Sequence, residues 1–235
     1  MRQRRKTGLF TVGTGISPVQ LARADYTADR EFHPALKNPI QFSIIIHTAH
    51  RLVNSGFFCY TGAKMQSGTG GERMVCTFTG HRPERLPWGQ AEDDARCAAL
   101  RGLIVRSVLR ACAEGCDTFL CGMARGCDTY FAEAVLAAKT RFPNVRLIAM
   151  IPCPSQPEAW QEEDRTHYDR LLDACDAVCV LEPIYSSGCM LRRNRAMVDA
   201  AELVITVYDG EPGGGTAATV RYAERRGKRL LRLWC

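Results

Sequence analysis

Residues 74–235 are predicted to form a three-layer α/β/α domain built on a mostly parallel sheet. Three observations carry the prediction. Short apolar, β-rich runs alternate with longer stretches whose apolar residues recur at helical spacing. The apolar runs end abruptly at glycine, proline or aspartate. Two of them lead through a glycine-rich turn directly into a helix, once near residue 122 and again near residue 213.

The elements follow in order from Met74. Val75 to Thr79 reads as a first strand, stopped by Gly80. Leu100, Leu103, Ile104, Val108 and Ala111 form the stripe of a helix that covers one sheet face. Thr118 to Cys121 is the second strand, and the helix after it, from about Asp128 to Thr140, buries Phe131, Ala134, Val135 and Ala138. Pro143-Asn144 turns the chain into a strand over Arg146 to Ile151, which Pro152 and Pro154 end. A polar-rich helix is expected from near Pro157, with Trp160, Tyr168, Leu171, Leu172 and Cys175 inward and Glu162-Glu163-Asp164-Arg165 solvated. Ala177 to Leu181 is a strand, Met190 to Ala200 a helix and Leu203 to Tyr208 a strand. The helix Ala217 to Arg226 and a closing strand within Lys228 to Trp234 complete the alternation. Parallel strands joined by helical crossovers place all their carboxyl ends on one edge, where ligands of such folds bind.

Charge separates this domain from what precedes it. Residues 1–73 hold ten Lys/Arg against four Asp/Glu, a net +6, whereas residues 74–235 hold 21 of each and are neutral. A basic total charge therefore says little about nucleic acid here, and the neutral domain argues against it as a partner. The leader has no sustained period and ends in the flexible composition Gln66-Ser67-Gly68-Thr69-Gly70-Gly71-Glu72-Arg73. Two readings of residues 1–73 stand: a disordered basic tail, or upstream sequence joined by an over-extended start. The second is favoured because Gly70-Gly71-Glu72-Arg73-Met74 can be encoded with a purine-rich GGAGG tract shortly before an ATG. No signal peptide or membrane-spanning run is visible, and 12 cysteines without a Cys-x-x-Cys pair or clustered histidines fit a reducing cytoplasm better than a metal site or disulfide scaffold. Cys76, Cys121, Cys153 and Cys179, in or beside strands, read as small core hydrophobes.

The residues with chemical potential cluster at the expected carboxyl edge. Gly80-His81-Arg82 follows the first strand: Arg82 suits phosphate or carboxylate, and His81 can exchange a proton. Gly122-Met123-Ala124-Arg125-Gly126 opens a helix whose free N–H groups would face an anion, with Asp128 either capping that helix or meeting a ribose or water. Asn194 and Arg195 follow the loop Ile184 to Gly188, and here a site and a solvated charge run weigh equally. Asp209 and the turn Gly213-Gly214-Gly215-Thr216 repeat the glycine-to-helix arrangement. All these residues are expected to line one cleft holding a small nucleotide-like ligand. Both glycine turns are expected to lie outside the core, so that a bulky residue at Gly122 or Gly214 would abolish binding at little cost to the fold. No dinucleotide-binding Gly-x-Gly-x-x-Gly, no P-loop and no hydrolase nucleophile is present, so catalytic residues are not assigned and the inventory suits binding better than covalent catalysis.

These residues resemble a known family. Thr79-Gly80-His81-Arg82-Pro83, Gly122 through Asp128, Gly188-Cys189-Met190 with Arg193-Asn194-Arg195, and Tyr208-Asp209-Gly210 with Gly214-Gly215-Thr216 are together similar to the YpsA-type SLOG family. The glycine motif and Arg-Asn-Arg also resemble the DNA-processing protein DprA. The resemblance implies a Rossmann-like domain that binds nucleotides or nucleotide-derived ligands such as NAD or ADP-ribose. In Gram-positive bacteria it implies a link to cell division and stress responses. It leaves the cofactor unnamed and homo-oligomerisation open. The related LOG phosphoribohydrolases carry Pro-Gly-Gly-x-Gly-Thr-x-x-Glu; Pro212 to Thr219 is one residue shorter and ends in Thr219 where the catalytic glutamate is expected. A nucleoside-monophosphate phosphoribohydrolase is thus the alternative, and a DprA-like single-stranded DNA binder a further one.

Overall fold

The computed structural model describes the backbone of residues 58–60 and the whole of residues 74–234. Most of the leader, on which the disordered-or-misassigned reading was built, lies outside the described residues. The exception is a three-residue strand, β1 (Phe58–Tyr60).

From Met74 onward strand and helix alternate. The order is β2 (Met74–Thr79), α1 (Ala95–Ala113), β3 (Cys116–Cys121), α2 (Cys127–Ala138), β4 (Arg146–Ile151) and α3 (Glu162–Ala174), followed by β5 (Ala177–Val180), α4 (Cys189–Ala200), β6 (Leu203–Val207), α5 (Gly214–Arg225) and β7 (Arg229–Leu233). The strands form one sheet in the order β1-β5-β4-β3-β2-β6-β7. Every neighbouring pair from β5 to β7 is parallel, and β1 alone runs antiparallel, against β5. The α/β prediction with a mostly parallel sheet is correct.

Alternation along the strands builds the three layers. Phe119, Leu147, Ala149, Leu203 and Ile205 join the core under α1, α2 and α3, while their neighbours Leu120 and Met150 meet Met197 and Ala200 of α4 on the opposite face. Val204 pairs with Val198 of α4 and Ala223 of α5. Aromatic stacking sets the centre of the larger core, with the Phe78 and Phe131 rings 4.6 Å apart and Phe119 tilted against Phe131 at 6.1 Å.

Two helix starts differ most from expectation. α3 begins at Glu162 rather than near Pro157 because residues 153–160 make successive turns, Gln156 N–H to Cys153 O, Glu158 N–H to Ser155 O and Trp160 N–H to Pro157 O. α5 begins at Gly214, so two glycines expected to precede the helix form its first turn. Nine described cysteines are free, eight of them buried. Cys179 departs from the core-hydrophobe expectation: it is buried but disulfide-bonded. Among the described residues no helix is long and apolar enough to cross a membrane.

Candidate functional site

The sheet has one switch point. From β2 the chain builds outward through β3, β4 and β5, then crosses back to place β6 on the other side of β2. The diverging connections open a crevice at the carboxyl ends of β2 and β6. Gly80-His81-Arg82-Pro83 leaves β2 here, and Tyr208-Asp209 leaves β6.

These two connections are tied together. The His81 ring is 2% exposed, and its Nε2 lies 3.2 Å from Asp209 Oδ1 and accepts the Asp209 N–H at 3.2 Å. Its Nδ1 is buried with no hydrogen-bond partner. Accepting at Nε2 puts the proton of the neutral ring on Nδ1. Burial lowers the His81 pKa against the pull of Asp209, so the ring is neutral at pH 7. Burial works to raise the Asp209 carboxyl, but the Glu211 N–H and the Arg85 charge oppose it and the carboxyl is held low. Arg85 reaches across the crevice, Nη2 to Asp209 Oδ2 at 3.3 Å and Nη1 to the Gly213 carbonyl at 3.2 Å. Thr216, in the first turn of α5, donates its hydroxyl to Gly80 O at 2.9 Å. The second glycine turn thus sits directly against the first strand's exit.

The first glycine turn meets the same segment from its other side. Gly126 has φ +83°, and an added Cβ would lie 2.9 Å from Pro83 Cδ and 3.0 Å from His81 O. Cys127 N–H donates to His81 O at 3.2 Å. Residues 80–83 are therefore held between the two turns, although 136 positions separate Gly80 from Thr216.

The interior of the first turn is filled by protein, and several expected ligand contacts are replaced there. Gly122 is buried, and its absent side chain makes room for Arg193: a Cβ would stand 2.4 Å from Arg193 Nη1 and 2.9 Å from Asp128 Oδ2. Arg193, 4% exposed, donates Nη1 to Gly122 O and to Met150 O at 2.8 Å, and Nε to Asn194 Oδ1 at 2.8 Å. Gln156 donates to Met123 O at 2.8 Å and to Gly122 O at 3.3 Å. Asp128, 7% exposed, accepts the Ala124 N–H at 3.1 Å and so braces the turn. Burial pushes the Asp128 carboxyl up and the Arg193 guanidinium down, each opposed by the other's charge. Met123 is fully buried with φ +53°, the one non-glycine residue with positive φ among the described residues. The expectation that Gly122 lies outside the core is wrong, because its Cβ space belongs to a buried guanidinium.

Arg125 is likewise committed. It pairs with Glu84 and with Asp164 at 3.2 Å, and its guanidinium lies 5.9 Å from the Trp160 ring centroid. Asn194 donates to Thr219 Oγ1 at 2.8 Å, between α4 and α5, and Arg195 lies on the outer face of those helices, against Tyr222. Gly80 is hemmed by Cys127 Cβ, 2.5 Å from where its own Cβ would be. What remains open at the edge is narrower than the expected set. Gly213, Gly214 and Gly215 are exposed, an added Cβ at Gly213 or Gly215 meets nothing within 4 Å, and no side chain caps the α5 N-terminus. Arg82, two residues beyond the Gly80 carbonyl that Thr216 bonds, is exposed. Free first-turn N–H groups at a helix start carry the positive end of the helix dipole.

Sequence reading missed Arg85, Gln156 and Arg193. Gln156 and Arg85 carry no sequence signal, since their partners lie far along the chain. Arg193 does carry one: it falls four residues from both Cys189 and Met197, on the buried stripe of α4. No group of three or more His, Cys, Asp or Glu able to hold a metal ion occurs among the described residues.

A pH dependence follows from His81. Its folded pKa is depressed, so its contribution to stability is present above pH 6.5 and is lost as pH falls below the unfolded value toward the folded one. His167, raised first by its hydrogen bond to Glu133, acts in the opposite sense: its stabilisation is present below pH 6.5 and lost as pH rises through the raised folded value. Urea unfolding at pH 7 and pH 5.5 should show a smaller acid loss in His81→Gln than in wild type. Equal losses would remove His81 as the cause.

The comparisons agree with this architecture. The sequence model of the YspA SLOG family (YpsA) matches residues 76–231. The SPbeta prophage-derived protein YoqJ of Bacillus subtilis is 28% identical over 129 residues, covering 49% of this chain and 75% of its own length. The UPF0398 protein BH1768 of Halalkalibacterium halodurans is 26% identical over 155 residues, 65% of this chain and 81% of its own. Among solved structures, DNA processing protein A from Helicobacter pylori, studied for its single-stranded DNA binding mode, aligns with TM-score 0.47 and 16% identity over 76% of this chain and 81% of that one. DprA from Streptococcus pneumoniae aligns with TM-score 0.47 and 14% identity over 93% and 82%. Likeness at that level brings no ligand with it. With a family match spanning the sheet from β2 to β7, the chain belongs to the YspA SLOG family.

Proposed function

We propose that the carboxyl edge binds a nucleotide or nucleotide-derived ligand of the NAD or ADP-ribose class, and that the protein is a cytosolic binding or sensing protein rather than an enzyme. The observation that carries this is the uncapped N-terminus of α5 at the switch point, tied through Thr216 to the Gly80 carbonyl at the start of the segment that carries Arg82. Phosphates would take the first-turn N–H groups of Gly214 to Thr216, with Arg82 closing on them. Behind this edge, Asp209 and His81 of the expected set join Arg85 in fixing the glycine loop, and Asp128 joins Arg193 in fixing the facing turn. Against hydrolysis, Thr219 occupies the place of the LOG glutamate and is buried, with its hydroxyl donated to Gly215 O at 2.7 Å. No carboxylate takes that position.

Thermal shift across NAD, ADP-ribose and AMP tests the reading. A ligand at 100 times its dissociation constant stabilises by about 2.7 kcal/mol. Arg82→Ala should abolish the shift and leave the apo melting temperature unchanged, since Arg82 is exposed. A flat panel would overturn the proposal, and steady release of adenine from AMP would replace it with the phosphoribohydrolase.

A further inference from the structure

Most arginines of this domain are matched to carboxylates. Arg85 has Asp209, Arg96 has Asp94, Arg101 has Glu92 and Glu133, Arg192 has Glu182 and Arg226 has Asp199. Among the described residues Arg195, Arg221 and Arg225 form no ion pair with a carboxylate, and all three line one cavity of about 220 Å³ between α4 and α5. Asn194, Thr219 and Tyr222 line it with them, and no acidic residue does.

The arrangement brings like charges together without a counter-charge among the cavity's lining residues. Arg221 and Arg225 are like charges four apart on one helix face, which disfavours the helix in isolation. Arg195 from α4 and Arg225 from α5 approach the same Tyr222 ring, at 5.6 and 5.9 Å from its centroid. The nearby carboxylate, Asp199, is already taken: it accepts the Tyr222 hydroxyl and pairs with Arg226 at 2.8 Å. Those bonds hold Tyr222 in place and leave the three guanidinium groups of the cavity uncompensated. The domain as a whole is neutral, so this is a local excess rather than part of a basic surface.

We propose that the α4–α5 cavity is a second anion site, taking a compact ligand with two or more phosphoryl groups. A compact ligand fits better than a nucleic-acid strand: the cavity is small and presents a single aromatic ring, whereas strand binding uses an extended groove with several stacking platforms. Three guanidinium forks converging from two helices suit adjacent phosphoryl groups, which offer several acceptor oxygens in a small volume. The residues lining the cavity include neither Arg82 nor any of Gly213 to Thr216, and the proposal does not rest on the carboxyl-edge one.

Inorganic pyrophosphate is the probe, titrated calorimetrically into the full chain at low salt, alongside a single-stranded oligothymidylate. Arg195→Gln/Arg225→Gln should weaken pyrophosphate binding at least tenfold and leave the NAD and ADP-ribose responses of the carboxyl edge unchanged. The exposed positions keep the fold intact, which an unchanged apo melting temperature verifies. Arg195→Lys/Arg225→Lys should restore part of the affinity. Three results would overturn the proposal: no pyrophosphate binding at millimolar concentration, binding lost in Arg82→Ala instead of the double variant, or tighter, equally Arg195- and Arg225-dependent binding of the oligonucleotide. Because Arg82 and the Arg195/Arg225 pair are read separately, either site can fail without the other.

Discussion

Arg193→Met should lower stability by about 3–5 kcal/mol, the range for removing one member of a pair of buried charges. At about 2–4 °C per kcal/mol for a chain of this size the loss is plain in a thermal melt. Removing the guanidinium leaves Met150 O without that donor and the Asp128 carboxyl buried without the opposing charge, its side-chain hydrogen bond from the Ala124 N–H unchanged. Adding Asp128→Asn should recover part of the loss, because the amide carries no charge to strand, with a coupling of about 0.5–3 kcal/mol between neighbours of this kind. A single-variant loss below about 1 kcal/mol would show that the arginine is not what holds the turn.

The next largest effect is expected at Gly126. Its φ of +83° and the approach of Pro83 and His81 O are separate obstacles to a side chain, and Gly115 separates them: it has φ +100° and nothing within 4 Å of an added Cβ. Gly115→Ala should carry the backbone strain alone, about 1–3 kcal/mol. Gly126→Ala should cost a further 1–3 kcal/mol or so from overpacking. It should also blunt the nucleotide response, because it pushes residues 81–83 away from the first turn and Arg82 with them. Chemical denaturation of both variants checks this, and equal losses would mean that the loops yield freely.

How much of this was legible depends on the range of the interaction. The strands announced themselves through short apolar runs, and the placement of Gly80, Gly122 and Asp209 at one edge followed from parallel topology. Which glycine faces a ligand did not follow. Gly122 and Gly215 look alike in sequence, yet one accommodates a guanidinium from 71 positions away and the other faces open space. A missing Cβ signals only that something comes close. Arg193 was readable in principle from its spacing to Cys189 and Met197, but its neighbours Arg192 and Arg195 are exposed and make the run look like a solvated face. The late start of α3 had no local signal, since the turns before it serve the contact between Gln156 and Met123.

The antiparallel seating of β1 on β5 bears on how copies of this protein avoid one another. A sheet edge with unpaired N–H and C=O groups is a template for another chain, and proteins guard it with charge or a covering segment. Both devices are present: β7 carries Arg229 and Arg232, and β5 is covered by Phe58–Tyr60. A chain starting at Met74 would leave Ala177–Val180, an uncharged run of four residues, as its margin. Phe58–Tyr60 is thus the guard on one side of the sheet, and its removal should show as self-association through β5.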